Sequence, residues 1–232
     1  NHSIRGQPLP DDVAGVLTTQ PNAQSTLSLL ALPALDATWS VTLPRSRRNE
    51  IEPQLIHAAG VVIARRASDL VAYDLKDGTP LWSRSFDRTV QEVGATGGVV
   101  LVTLSTPQKE GLEAPPAALV GIEPRTGTDL FTTALAGTDT RSGQLLTQGE
   151  LCVVSSYART GQAAEVLDVV SGARRLEPKT YSPGATLPLL LPDAELLLLP
   201  DSKSAGTAAR LGGVARVVAW HFDDGAKAFE YE

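Results

Sequence analysis

Four stretches of this chain repeat one pattern, and that repeat restricts the fold more than any other feature. They are Ala72-Tyr-Asp-Leu-Lys-Asp-Gly-Thr-Pro-Leu-Trp82, Gly121-Ile-Glu-Pro-Arg-Thr-Gly-Thr-Asp-Leu-Phe131, Val166-Leu-Asp-Val-Val-Ser-Gly-Ala-Arg-Arg-Leu176 and Ala219-Trp-His-Phe-Asp-Asp-Gly-Ala-Lys-Ala-Phe229. Each opens on a small or branched apolar residue. Mostly an acid follows two places on, then Asp, Thr or Ser, then Gly. A large apolar residue stands four places after the Gly. The glycines are Gly78, Gly127, Gly172 and Gly225, separated by 49, 45 and 53 residues.

A recurring unit of roughly 40–50 residues made of short strands signals the blades of a β-propeller. Helical periodicity is hard to find; short apolar runs alternate with turns. The unit near Ile51 is predicted to use Pro53–Ala58, Gly60–Ala64, Leu70–Leu75 and Leu81–Phe86 as its four strands. The next uses Val90–Ala95, Gly98–Val102, Ala118–Ile122 and Asp129–Ala134. A third uses Gln144–Thr147, Leu151–Ser155, Ala164–Val169 and Arg174–Glu177. A fourth uses Leu187–Leu191, Glu195–Leu199, Val214–Trp220 and Lys227–Tyr231. Ahead of them, Leu27–Leu32 and Ala37–Leu43 resemble a third and fourth strand, with Trp39 in the place of Trp82. The expected fold is all-β: four full four-stranded antiparallel blades and a partial one over residues 27–232. Residues 1–26 read as a tail or lead-in, with Val13–Thr18 a possible strand.

The repeat has a physical rationale. A blade cannot bury both faces alone, so neighbouring blades pack face to face. Trp82, Phe131, Leu176 and Phe229 are placed to fill the gap between blades. The glycines supply the tight turn, and Asp77, Thr126, Ser171 and Asp224 can hydrogen-bond its backbone. Every repeated residue thus has a structural role, and none is expected to be catalytic.

The string Ala72-x-Asp74-x-x-Asp77-Gly78-x-x-x-Trp82 resembles the tryptophan-docking motif of pyrroloquinoline-quinone-type β-propellers, with Asp77 where that family usually has Thr. The second copy keeps Thr126-Gly127 but has Glu123 and Phe131; the third and fourth are more degenerate. The resemblance covers residues 27–231. The family includes quinone-dependent dehydrogenases, non-catalytic members such as the lipoprotein of the outer-membrane β-barrel assembly machinery, and sensor domains of bacterial kinases. Its members usually close with about six to eight blades. These residues supply fewer, which implies a fragment, blades supplied by another chain, or a small or open ring.

Net charge is −6 over 232 residues, which argues against a nucleic-acid footprint. No run of 18 apolar residues exists, so no transmembrane helix is expected. Methionine is absent, which suggests that Asn1 is not the translation start, and no signal peptide remains. The single cysteine, Cys152, lies in an apolar strand and reads as a buried thiol. It excludes the vicinal cysteine pair that the resembled dehydrogenases carry, and no calcium-loop spacing is present. His2, His57 and His221 are scattered, and no catalytic or phosphate-binding motif occurs.

The expectation is therefore a scaffold with no catalytic, cofactor-binding or metal-binding residues. Partners are expected to be proteins, within a multi-subunit complex or a homo-oligomer that completes the ring, with peripheral membrane contact open. The resemblance implies the periplasmic or extracellular side of a bacterial cell envelope. An extracytoplasmic ligand-sensing domain is the alternative, and a quinone-dependent dehydrogenase fragment a lesser one. Two insertions join second to third strands, Ser105–Pro116 and Pro200–Gly213, and should share one face. With the basic cluster Arg45-Ser-Arg-Arg48 they supply the candidate partner contacts: Arg45, Arg47, Arg48, Gln108, Lys109, Glu110, Lys203 and Arg210.

Overall fold

Short apolar runs punctuated by glycine turns satisfy their backbone groups in antiparallel ladders. A computed structural model shows that arrangement. It describes residues 5–6, 11, 13–18, 26–31, 34, 36–43, 54–106, 115–138, 145–158, 161–181, 188–200 and 217–231.

Strand β1 (Arg5–Gly6) stands apart from the first sheet, which comprises β2 (Val13–Thr18), β3 (Thr26–Ala31) and β4 (Asp36–Thr42). Residues 13–18, the possible strand of the lead-in, pair with Thr26–Ala31 along their full length. The second sheet holds β5 (Gln54–Ala58), β6 (Val61–Arg66), β7 (Asp69–Asp74) and β8 (Pro80–Ser85). The third holds β9 (Thr89–Thr96), β10 (Val99–Ser105), β11 (Ala118–Ile122) and β12 (Asp129–Ala134). The fourth holds β13 (Leu145–Gln148), β14 (Leu151–Ala158), β15 (Gly161–Asp168) and β16 (Arg174–Tyr181). The last holds β17 (Leu189–Leu191), β18 (Leu196–Pro200), β19 (Val217–His221) and β20 (Lys227–Tyr231). Each of the four full sheets is a meander in sequence order. The second carries β1 as a parallel fifth strand beside β5, pairing Arg5 with Ile56.

Most predicted strands fall within a residue or two of those observed, although β14 runs three residues past its predicted end, to Ala158, and β15 opens three residues early, at Gly161; the predicted ends at Pro53, Gln144, Leu187 and Val214 lie outside the described residues. Three other departures have physical causes. β10 continues to Ser105, because Leu104 and Ser105 still pair with Val90 and Thr89 beyond a bulge. β16 runs to Tyr181, four residues further than expected, since Tyr181 pairs with Gln162 and its hydroxyl meets Ser155 Oγ at 3.0 Å. The predicted strand Glu195–Leu199 opens one residue later, at Leu196, because a turn of 3-10 helix over Pro192–Ala194 ends on Glu195, with φ +54°.

The strands β10 and β11 are buried throughout and mostly apolar, Thr103 and Ser105 being the polar residues of β10. The outer strands β8, β12 and β20 alternate half-buried and exposed residues. The core therefore consists of layers between sheets. Leu27, Leu29 and Trp39 meet Leu55, Val62 and Tyr73 in the first layer. Ile56, Ile63 and Ala72 meet Val93, Val100 and Val120 in the next. Leu101 and Leu119 then meet Cys152, Val154 and Leu167, and Val153, Val166 and Leu176 meet Leu190, Leu197 and Phe222.

Candidate interaction site

The repeated residues converge on the seams between these layers. The four turn glycines hold φ of +71°, +73°, +69° and +71°, a conformation that favours a residue without Cβ. Their bare flanks are also occupied. A Cβ on Gly78 would stand 2.7 Å from Trp39 Cδ2, and one on Gly127 would stand 2.7 Å from Trp82 Cδ2. Phe131 covers Gly172 in the same way. Trp39 Nε1 donates to Leu75 O at 2.9 Å and Trp82 Nε1 to Pro124 O at 2.7 Å. Against Gly225 the cover is Leu176 together with Lys179. Lys179 Nζ donates to Gly225 O at 3.0 Å and lies 4.3 Å from the centre of the Trp220 ring. Each outer strand thus sets a bulky side chain on the glycine turn of the following sheet.

A second tie lies two residues beyond. Arg84 donates to Gly127 O at 3.5 Å, and its guanidinium forms a two-pronged ion pair with Asp129. Thr133 Oγ1 donates to Gly172 O at 2.8 Å. Arg125, in the third sheet's turn, reaches back to Asp74 at 2.7 Å.

The turns are locked by their own side chains. Asp74 Oδ1 accepts from the backbone N–H of Lys76 at 2.9 Å, and Asp168 Oδ1 accepts from those of Val170 and Ser171. Asp77 accepts from Thr79 N–H, Thr126 Oγ1 from Thr128 N–H, Ser171 Oγ from Ala173 N–H and Asp224 from Ala226 N–H. The Lys76 amide, then the Arg125 guanidinium, hold the Asp74 carboxyl below the usual carboxylate range. The Ser171 amide and then its hydroxyl do the same for Asp168. At the fourth turn His221 replaces the acid. Its backbone alone closes the turn, donating to Ala226 O and accepting from Gly225 N–H.

Buried polar links between sheets were not legible as function. Arg65 donates to Val90 O of the next sheet at 2.6 Å. Glu92 Oε2 accepts from Leu145 N–H at 2.8 Å. Glu165, fully buried, accepts from Ala136 N–H at 2.6 Å and pairs with Arg174 at 2.7 Å. A charge inside Ala163-Ala164-Glu165-Val166-Leu167 was the available signal, since a buried carboxylate must find donors. Cys152 is buried, and desolvation pushes its thiol up to about 12. Among the described residues no group of three His, Cys, Asp or Glu could hold a metal ion. No helix among them is long and apolar enough to cross a membrane.

Arg45, Arg47, Arg48, Gln108, Lys109, Glu110, Lys203 and Arg210 all lie outside the described residues, as does His2. So does most of both insertions.

No protein-family model matches the sequence, and no curated protein matches it. Solved structures do match. The crystal structure of BamB from Moraxella catarrhalis superposes with a TM-score of 0.56 at 17% identity, over 95% of this chain and 58% of that one. The crystal structure of a eukaryotic initiation factor superposes at 0.65 with 10% identity, over 95% of this chain and 52% of that one. This chain is a β-propeller. The described residues form four full blades and a partial one, and the chain spans little more than half the length of those two structures.

Three of the four expected anchors sit between blades: Trp82, Phe131 and Leu176. Phe229 does not. It is 47% exposed, because among the described residues no blade follows β17–β20 to cover it. Trp39 is the fourth docked anchor instead.

Proposed function

We propose that this β-propeller is a non-catalytic scaffold that holds protein partners in a bacterial cell-envelope complex. One observation carries the reading. Apart from Phe229, the anchor, glycine and turn-capping residues that define the repeat are engaged in holding blade to blade or in closing the turns, which makes them a frame for the segments between strands. Those segments differ in length from blade to blade within the chain, and a rigid frame with differing loops suits recognition of another protein. The resemblance of the repeat to quinoprotein-type propellers, whose members include an outer-membrane assembly lipoprotein, supports the envelope setting. The fold likeness to BamB supports it at a coarser level.

Affinity capture from an envelope extract tests the reading, using the intact chain and a version with residues 107–114 replaced by a Gly-Ser linker. A partner retained by the first and lost by the second is the expected outcome. Equal recovery removes that loop from the interface. Dye-linked turnover with added quinone would overturn the non-catalytic reading.

A further inference from the structure

Register places one apolar row across each blade, ending on its anchor. The rows are Gly15–Leu29–Trp39, Ile56–Ile63–Ala72–Trp82, Gly94–Leu101–Gly121–Phe131 and Leu146–Val153–Val166–Leu176. Each is covered by the following blade. The last blade repeats it as Leu189–Leu198–Ala219–Phe229. This row faces away from Leu190, Leu197 and Phe222, which pack on the preceding blade. Leu189 is 52% exposed, and Tyr231, two residues beyond Phe229 like Arg84 beyond Trp82 and Thr133 beyond Phe131, is 74% exposed. The row continues an interface that the chain has already built four times.

A second copy of the chain is a poor fit for this face. The glycine turns are taken: Gly78 by Trp39, Gly127 by Trp82, Gly172 by Phe131, and Gly225 by Leu176 with Lys179. The partial blade could receive the row only on the face opposite Leu29 and Trp39. That face carries Ser28 and Ser40, hydroxyl to hydroxyl at 2.8 Å, with Thr26 paired to Thr42, and turns apolar at the end where Leu30 pairs with Ala14. Its connecting segment, Leu32-Pro33-Ala34-Leu35, has no glycine to admit an aromatic ring. An apolar sheet set against hydroxyls would leave them without water.

We infer that the Leu189–Leu198–Ala219–Phe229 face docks a further propeller blade from outside these 232 residues, whose glycine turn lies under Phe229 and whose turn carbonyl meets Tyr231. The solved β-propellers that this chain resembles have two fifths or more of their length beyond the superposed part, room for such a blade. The surface is separate from the loops of the proposed scaffold function, so either can fail without the other.

Two measurements test it. Residues 87–134, one glycine-turn blade of this chain, are appended after Glu232, which reproduces the short link that joins β8 to β9. Phe229→Ala is expected to lower the Tm of the extended chain by about 4 °C or more, and that of the 232-residue chain by under about 1 °C. Gly127→Val in the appended copy is expected to cause a similar loss that does not add to that of Phe229→Ala. Equal shifts from Phe229→Ala in both chains would overturn the proposal. Sedimentation velocity of the 232-residue chain is independent of whether the extended chain folds. A monomer is expected; a dimer that Phe229→Glu dissociates would make a second copy the occupant and overturn the proposal.

Discussion

Trp82 and Gly127 are 45 residues apart in sequence and in contact in space, the indole filling the place where any other residue at 127 would carry a side chain. The indole N–H fixes the ring by donating to Pro124 O at 2.7 Å. The pair is thus both a packing contact and a hydrogen bond, and the two parts can be separated by substitution.

Trp82→Ala should cost about 2–4 kcal/mol of unfolding free energy, below the full cost of deleting a buried tryptophan, because Trp82 is only half-buried. Trp82→Phe keeps a ring in the seam and loses the hydrogen bond, so about 1 kcal/mol is expected. Urea unfolding measures both. Equal losses for the two variants would mean that the hydrogen bond, not the ring, holds the seam.

Gly172→Ala should destabilise on two grounds, its φ of +69° and the Phe131 ring in the way. Phe131→Ala removes the ring and so the second ground. The double variant should therefore be more stable than the sum of the single losses implies. Strict additivity in urea would show that the ring does not press on that turn.

Cys152 should resist an aromatic disulfide reagent in the folded chain and react only on unfolding. Its folded thiol is raised to about 12 from an ordinary value of 9.0. The folded state therefore keeps a proton that the unfolded state releases above about pH 9. Stability from this group is complete below that pH and falls as pH rises toward 12. Cys152→Ala should flatten the alkaline fall in Tm, at the cost of a small cavity. An unchanged alkaline slope would contradict the burial.

Asp74 and Asp168 are held below their ordinary value of 3.8 by turn amides, with Arg125 adding to the effect at Asp74. Their stabilisation is present above that pH and disappears as pH falls through the lowered folded values. A scan of Tm from pH 6 to pH 2 should drop through this window, and Asp168→Asn should reduce the drop. An equally steep fall in that variant would place the acid sensitivity elsewhere.

The blade repeat was legible because its residues are constrained by backbone geometry and by a close approach, both of which demand particular side chains at a fixed spacing. Gly78, Gly127, Gly172 and Gly225 need positive φ, and Trp39, Trp82 and Phe131 need a glycine to rest on. Ala118–Ile122 and Asp129–Ala134 matched their predicted ends because apolar runs abut turn residues directly. The polar β16 outruns its predicted end at Glu177 because Pro178, Lys179 and Thr180 carry no apolar alternation; its far end is fixed by Tyr181 reaching Ser155. The inter-blade partners of Arg84, Glu92 and Glu165 were illegible because they come from blades 25 or more residues away. Phe229 carries the same motif as its counterparts, so sequence alone could not distinguish an uncovered anchor from a covered one.

The handover from each outer strand to the next turn runs in one direction only, from earlier residues to later ones. On a ribosome the anchoring half of every seam is therefore made before its receiving half. With turns about 45–53 residues apart, synthesis at about 5–20 residues per second leaves each fresh apolar flank waiting roughly 2–10 s for its cover. The wait is longest for Leu176, because the insertion Pro200–Gly213 delays the arrival of Gly225.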